Sequence, residues 1–333
     1  MKKSFTTNLF ALAITMFVPV AAGLLVGCGG QTFGVEEGAS NFGQSVTYNT
    51  EVDVLWVIDT SGSMAKRQAE VAKQMPAFIN GLNATGLDYH IGVTTMDMSG
   101  SGAKGRLIAQ PGTPLVLTKT TPNLVNILAG RVQAGENGSP VERGREALMT
   151  ALAMTGSDKA NAGFMRQNSL LNVIFVSDEE DESDNSIDYV AALDAIKPVL
   201  PLGDRSWIAH FVGVVPNDPT CKTAEWGFSS PGTRYMSLAE ASGGVNESIC
   251  DANFLRALTN VRSRIFERLT EFALDRLPVV ASIKVVVNGV VVPNSETNGW
   301  TYRASVNSIR FHGAAIPAAG ARISVTFDPD GLK

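Results

Sequence analysis

One stretch of sequence, Val52-Asp53-Val54-Leu55-Trp56-Val57-Ile58-Asp59-Thr60-Ser61-Gly62-Ser63-Met64, indicates the fold of this chain. Its first half is nearly all apolar and rich in β-branched and aromatic residues, which is typical of a strand buried on both faces of a parallel sheet. Asp59, Ser61 and Ser63 follow the strand, so one turn carries a carboxylate and two hydroxyls. Open α/β sheets bind ligands at the carboxyl ends of their strands. Oxygen groups at that position suit a hard divalent cation.

The spacing Asp-x-Ser-x-Ser, from Asp59 to Ser63, resembles the metal-ion-dependent adhesion site of von Willebrand factor type A domains. The resemblance implies two further ligands, a threonine in a later loop and an aspartate after a following buried strand. Asp178 matches the aspartate, because it ends a second buried apolar run. Ser139 stands where the family has its threonine, a few residues before Gly144 at the start of a predicted helix, and it offers the same hydroxyl.

What the resemblance implies is a cation site with one open position. Ser61, Ser63 and Ser139 would coordinate Mg²⁺, or else Mn²⁺ or Ca²⁺, through their hydroxyls, while Asp59 and Asp178 would act directly or through water. The open position would accept an Asp or Glu carboxylate from a partner protein. The competing interpretation is that Ser-Gly-Ser serves only turn and capping chemistry. The order and context of the three pieces favour the metal site.

The amino-terminal segment predicts export. Lys2 and Lys3 precede the apolar run Leu9 to Val26, and small residues lead up to Cys28, as in a secretory signal. A cysteine directly after Leu-x-Gly resembles the bacterial lipobox. Cleavage would remove residues 1–27 and leave Cys28 as the lipidated first residue. An uncleaved transmembrane anchor is the alternative, since the run nearly reaches the length that a membrane span needs.

Residues 28–50 are rich in Gly, Ser, Thr and Asn and have no apolar period beyond the cysteine, which predicts a flexible tether. By resemblance to enterobacterial sorting, Gly29 after the cysteine favours the outer membrane of the cell envelope. The net charge is −5, and it becomes −7 without the two lysines of the leader. Such a domain attracts neither nucleic acid nor an anionic lipid surface by charge.

Residues 51–272 predict an α/β fold, a doubly wound and mostly parallel sheet flanked by helices. Apolar residues at helical spacing alternate with buried runs. The predicted strands are 52–58, 87–95, 106–111, 171–178 and 207–215, and the predicted helices are 66–82, 122–132, 141–154, 187–196 and 251–272. Residues 216–251 predict a loop-rich segment. An Asn288-Gly289 turn between β-branched runs predicts that 273–333 is a small antiparallel β module.

Other motifs allow a functional and a structural interpretation. Gly100 to Gly105 matches a dinucleotide fingerprint, but no helix is predicted to open there, so that function is rejected. His90 and His210 lie in predicted strands without neighbouring ligands and are interpreted as packed residues. The acidic loop 179–184 is a solvated connection or a source of further carboxylates near the cation; its spacing matches no calcium loop, which favours the connection.

Cys221 and Cys250 are the only cysteines besides the lipobox residue. In an exported protein such a pair most often forms a disulfide, with two separate buried thiols as the alternative. Taken together, the sequence predicts a lipid-anchored envelope protein that binds a protein partner through a metal ion. The alternatives are a structural scaffold without a working site and, less favoured, a metal-assisted hydrolase. No nucleophile elbow or nearby histidine accompanies the serines, so no enzyme is predicted.

Overall fold

The buried apolar runs form a mixed sheet of six strands in the computed structural model, which describes residues 42–47, 50–197, 205–218, 221, 230–250, 254–318 and 320–331. In chain order the strands are β1 (Phe42–Thr47), β2 (Glu51–Ile58), β3 (Asp88–Thr95), β4 (Leu117–Thr118), β5 (Leu170–Ser177), β6 (Trp207–Gly213), β7 (Asn246–Ser248), β8 (Glu271–Ala273), β9 (Lys284–Val287), β10 (Val290–Val292), β11 (Trp300–Arg303), β12 (Ser308–Phe311) and β13 (Arg322–Phe327). The six-stranded sheet has the order β4-β3-β2-β5-β6-β7. Only β4 runs antiparallel to its neighbour.

Helices cover both faces of this sheet. They are α1 (Ala65–Lys73), α2 (Met75–Ala84), α3 (Leu124–Val132), α4 (Gly144–Ala153), α5 (Tyr189–Ile196), α6 (Thr233–Ser242) and α7 (Phe254–Thr270). One apolar core packs α1, α2, α3 and α7 against one face, and a second core packs α4, α5 and α6 against the other. The predicted fold class, a mostly parallel sheet between two helical layers, is confirmed.

Two small antiparallel sheets complete the described chain. Their strand orders are β1-β13-β9-β10 and β11-β12-β8, and they enclose a third apolar core around Trp300, Phe311 and Phe327. Asn288 and Gly289 both have positive φ at the β9–β10 hairpin, as an Asn-Gly turn requires. These sheets and the α/β part belong to one compact unit, Ser40–Lys333.

The amino-terminal strand corrects the predicted tether. β1 lies inside the segment 28–50, yet it pairs antiparallel with β13 along its whole length, from Phe42↔Phe327 to Thr47↔Arg322. Its sequence has only two large apolar residues and therefore lacks a strand pattern. The pairing partner lies at the other end of the chain, so no local pattern could reveal it.

Three other predictions are corrected. The loop-rich segment 216–251 contains α6 and β7. The strand expected at 106–111 is absent among the described residues, where one hydrogen bond joins Ile108 N–H to Val93 O, and the antiparallel edge strand is β4. The first crossover helix is divided into α1 and α2 at Gln74.

Candidate metal centre

Two neighbouring strands deliver the central carboxylates. β2 and β5 pair in parallel up to Ile58↔Val176, and the Asp59 N–H continues the ladder by donating to Val176 O at 3.0 Å. Asp59 and Asp178 therefore leave adjacent strands at the same edge of the sheet. Both side chains are buried, with 0% and 1% of their surface exposed.

Asp59 is held by hydrogen bonds from both strands' ends. Its Oδ1 accepts from Ser61 N–H at 2.7 Å, which closes a turn directly after β2. Its Oδ2 accepts from the Ser177 hydroxyl at 2.7 Å, at the end of β5. The carboxylate is thus fixed in orientation at the point where the two strands meet.

A line of hydroxyls connects the first turn to the second carboxylate. The Ser61 and Ser63 hydroxyl oxygens are 3.1 Å apart, and the Ser63 hydroxyl donates to Asp178 Oδ1 at 3.1 Å. Asp178 Oδ2 is buried and has no hydrogen-bond partner in the part of the chain that the structure describes. Four of the five predicted ligands are therefore brought together here.

The loop before α4 docks onto this cluster. Gly138 N–H donates to Thr60 O at 2.9 Å, and a Cβ on Gly138 would lie 2.1 Å from Thr60 Oγ1, so only glycine permits this approach. Gln68 of α1 joins the two loops from below, because its Nε2 donates to both Asp59 O and Gly135 O at 2.7 Å. The sequence gave no periodic or motif signal for this role of Gln68.

Ser139, the fifth predicted ligand, makes a different set of contacts. Its hydroxyl accepts from Val141 N–H at 3.0 Å, and its own N–H donates to the Asp97 carboxylate. Among the described residues no hydrogen bond joins the Ser139 hydroxyl to Asp59 or Asp178. The same loop instead buries Glu142 completely, with its carboxyl group against that of Asp59.

The electrostatics of the cluster favour neutralisation of its acids. Burial, then the Asp59 charge, raises the pKa of Glu142 to about 11. Burial followed by the Asp59 charge also raises the pKa of Asp178 to about 6 and that of Glu179 to about 7. Arg67 of α1 is the positive charge that acts on Asp178, and burial lowers its own pKa. Negative charge is therefore crowded here beyond what one guanidinium offsets.

Asp97 behaves differently from these acids. Burial acts to raise its pKa, but hydrogen bonds from the side chain and N–H of Ser99, the N–H of Ser139 and the charge of Lys104 outweigh burial, so its pKa is lowered. It lines a cavity of about 380 Å³ beside the cluster, together with Thr60 and Gly138. This cavity gives a polar side chain from outside an approach to the site.

The acidic loop after Asp178 is largely occupied by structural contacts. Glu180 caps the amino terminus of α6 by accepting from Thr233 and Arg234 N–H groups at 3.1 Å. Asp181 is ion-paired with Arg145. Asp184 accepts from Ser186 N–H at 2.8 Å within its own turn. These contacts agree with the interpretation of the loop as a connection.

The donor set fits a divalent cation. Asp178 Oδ2 and both Glu142 oxygens are buried without a hydrogen-bond partner, and such oxygens are costly unless a positive charge or a proton satisfies them. No three His, Cys, Asp or Glu side chains within the described ranges are placed to hold a metal ion. A cation here would therefore need the serine hydroxyls, which suits the oxygen preference of Mg²⁺ and Ca²⁺.

The remaining predicted positions lie away from this cluster. Cys221 and Cys250 are joined in a disulfide, as predicted. His90 contacts Phe164 O, and His210 is fully buried, so both are packed strand residues. Cys28, the leader 1–27 and most of the tether lie outside the described residues. Within those residues, none of the helices has the length and apolar character of a membrane span.

Several solved structures are similar in fold. They include a von Willebrand factor type A protein from Catenulispora acidiphila (13% identity, TM-score 0.38, 88% of this chain and 62% of that chain). Others are the pilus adhesins SpaC from Lactobacillus rhamnosus GG (12%, 0.43, 86% and 41%) and RrgA from Streptococcus pneumoniae (10%, 0.35, 86% and 58%).

No protein-family model and no curated protein matches the chain. The structural neighbours are of the domain type that the sequence resembles. The chain spans less than two thirds of the length of each of these structures. At these identities and TM-scores the likenesses carry no information on what this chain binds.

Proposed function

We propose that this chain is a protein-binding module of the bacterial cell envelope that works through a divalent cation held by Asp59, Ser61, Ser63 and Asp178. The observation that carries the proposal is the Asp178 carboxylate. One of its oxygens accepts from Ser63, while the other is buried without a partner among the described residues and faces a cluster of further acids. A cation satisfies that oxygen and offsets the crowded charge.

The bound ion supplies an electrophilic centre for a carboxylate ligand. Ser61 and Ser63 contribute neutral oxygens, so part of the positive charge of the ion stays uncompensated and attracts an Asp or Glu side chain of a partner protein. Asp59, fixed by Ser61 and Ser177, orients the turn that presents these hydroxyls. The cavity beside Thr60 and Asp97 offers room for the approaching side chain.

Ser139 stays a predicted ligand and would have to exchange its bond to Val141 N–H for one to the ion. This contact favours the second candidate function, a structural scaffold of the envelope whose site holds no metal. The two candidates differ in one measurable property, which is binding of a cation that depends on Asp59.

We propose that the module is not an enzyme. The serines of the cluster lack a histidine base, because His90, His210 and His312 contact Phe164, Val245 and Thr301, away from the cluster. A hydrolytic metal site usually adds histidine ligands or a second, carboxylate-bridged metal. Lipidation at Cys28 would attach the module to the membrane, and at least two acyl chains suffice for stable anchoring.

Cation binding is tested by calorimetric titration of the purified module with Mg²⁺, Mn²⁺ and Ca²⁺. We expect one ion per chain, a higher melting temperature in its presence, and loss of both effects in Asp59→Asn and Asp178→Asn. Asp184→Asn is the matched control, because it removes one negative charge from the neighbouring loop at an exposed position. Absence of ion binding to the unaltered protein would leave only the scaffold.

The partner is sought by affinity capture from envelope extracts in two buffers, one with Mg²⁺ and one with chelator. We expect proteins that are retained only with Mg²⁺ and that Asp59→Asn fails to retain. Identical capture in both buffers would contradict a metal-mediated contact.

A further inference from the structure

Glu142 is an acid that the ligand pattern of the sequence does not include. It lies in the loop that also carries Ser139, two residues before α4, and its side chain is 0% exposed. The carboxyl group lies against that of Asp59, and Glu179 and Asp97 also act on it electrostatically. Neither oxygen has a hydrogen-bond partner in the described chain. Contact with another carboxylate satisfies neither oxygen, because both groups are acceptors when ionised.

The backbone fixes Glu142 in this position from both sides. Its own carbonyl oxygen accepts from Glu182 N–H at 2.6 Å, which ties it to the loop after β5. The next residue, Arg143, donates its N–H to Met96 O at 3.2 Å at the end of β3. Gly144 N–H donates to the Tyr235 hydroxyl of α6 at 3.1 Å. The side chain is therefore held over the ends of the central strands and is not a mobile surface acid.

A buried glutamate with two unsatisfied oxygens is costly unless a partner is missing from its surroundings. A neutral packing role would be served by an apolar residue of the same size without that cost. The group nearest to it is Asp59, the first residue of the proposed cation cluster. A divalent cation bound at that cluster lies where it satisfies the Glu142 oxygens as well.

We propose that Glu142 is a ligand of the cation and is the contribution of the loop before α4, in the role that the sequence pattern gives to the Ser139 hydroxyl. This inference rests on the proposed cation site. A third carboxylate changes the ion that the site prefers. Mg²⁺ usually takes one or two carboxylates in a tight octahedral shell, whereas Ca²⁺ accepts several in a wider and more flexible one. Glu142 therefore makes the site selective for Ca²⁺ over Mg²⁺.

The test compares three variants by calorimetric titration with Ca²⁺ alone and with Mg²⁺ alone. Glu142→Gln keeps the size of the side chain and removes its charge, Ser139→Ala removes the rival hydroxyl, and Asp184→Asn is the charge control. We expect Glu142→Gln to weaken Ca²⁺ binding by roughly tenfold or more, as loss of a metal-supporting group commonly does. Mg²⁺ binding should weaken less, so the ratio of the two affinities should fall.

The outcomes separate this inference from the proposal on which it rests. A larger loss of Ca²⁺ affinity in Glu142→Gln than in Ser139→Ala, with a fall in selectivity, supports the role of Glu142. An unchanged selectivity, or a larger loss in Ser139→Ala, overturns it while the cation site stands. If the unaltered protein binds neither ion, the proposed function itself fails. Melting curves of each variant in chelator show whether Glu142→Gln still folds, and its Mg²⁺ affinity then reports on an intact site.

Discussion

His210 shows how a single buried residue links stability to pH. Its ring is fully buried in β6, where Nδ1 accepts from Val245 N–H at 3.1 Å and Nε2 lies 3.1 Å from the Asn172 side-chain amide. Burial, followed by the charge of Arg264, lowers the pKa of His210 to about 3. A proton on Nδ1 would face the Val245 N–H, so the fold accommodates only the neutral ring.

We predict that His210→Gln flattens the pH dependence of stability. Because the folded pKa of His210 is depressed, its neutral ring stabilises the fold above the unfolded pKa of about 6.5, and that contribution is lost as the pH falls towards 3. The loss approaches 1.4 kcal/mol per pH unit within this window. Urea unfolding of both proteins at pH 7, 6, 5 and 4 measures it. Parallel curves for the two proteins would contradict the assignment.

At the cluster of acids, convergence of residues that follow strong strand patterns could be predicted. Asp59 and Asp178 each end a buried apolar run, and the parallel pairing of β2 with β5 places them side by side. Glu142 could not be found in this way, since its position depends on the contact of Gly138 with Thr60 and on backbone bonds to other loops. Long-range docking of loops leaves no period in the sequence.

At the scale of elements, α6 was missed although its signals are present. Tyr235, Leu238, Ala239 and Ser242 are buried at helical spacing, and Gly243 ends the helix in the left-handed conformation. The surrounding prolines, glycines and cysteines concealed this short pattern within a loop-rich composition. β7 is only three residues long and is defined by pairing with β6, so its own sequence carries no strand pattern.

We predict that loss of the Cys221–Cys250 disulfide destabilises the chain by about 3 to 4 kcal/mol, which is the chain-entropy value for a loop of this length. The bond closes a segment that contains α6 and β7, and both sulfur-bearing residues pack against the core beneath α7. Denaturant unfolding of Cys221→Ser/Cys250→Ser and of the oxidised parent measures the difference. The parent in reductant should approach the variant, and equal stability of oxidised parent and variant would contradict the prediction.

At the scale of the whole molecule, the α/β part is inserted into the antiparallel part. β1 precedes the parallel sheet in sequence, yet it pairs with β13, and β8 directly after α7 pairs with β12. The chain thus enters and leaves the α/β part through strands of the two small sheets. Composition and periodicity predicted the α/β part closely, whereas this closure joins residues about 280 positions apart and has no local signature.

Removal of β1 should therefore weaken the antiparallel sheet and spare the parallel one. We predict that a chain starting at Thr50 leaves β13 as an unpaired edge, because β13 keeps only β9 as a neighbour. Hydrogen exchange followed by mass spectrometry should show faster exchange in 322–327 and unchanged exchange in 170–177, which form β13 and β5. A chain starting at Ser40 keeps β1 and should match the longer protein in both segments. Equal protection of 322–327 in the two truncated chains would mean that β1 adds nothing to the sheet, and that the antiparallel part is complete in 271–327 alone.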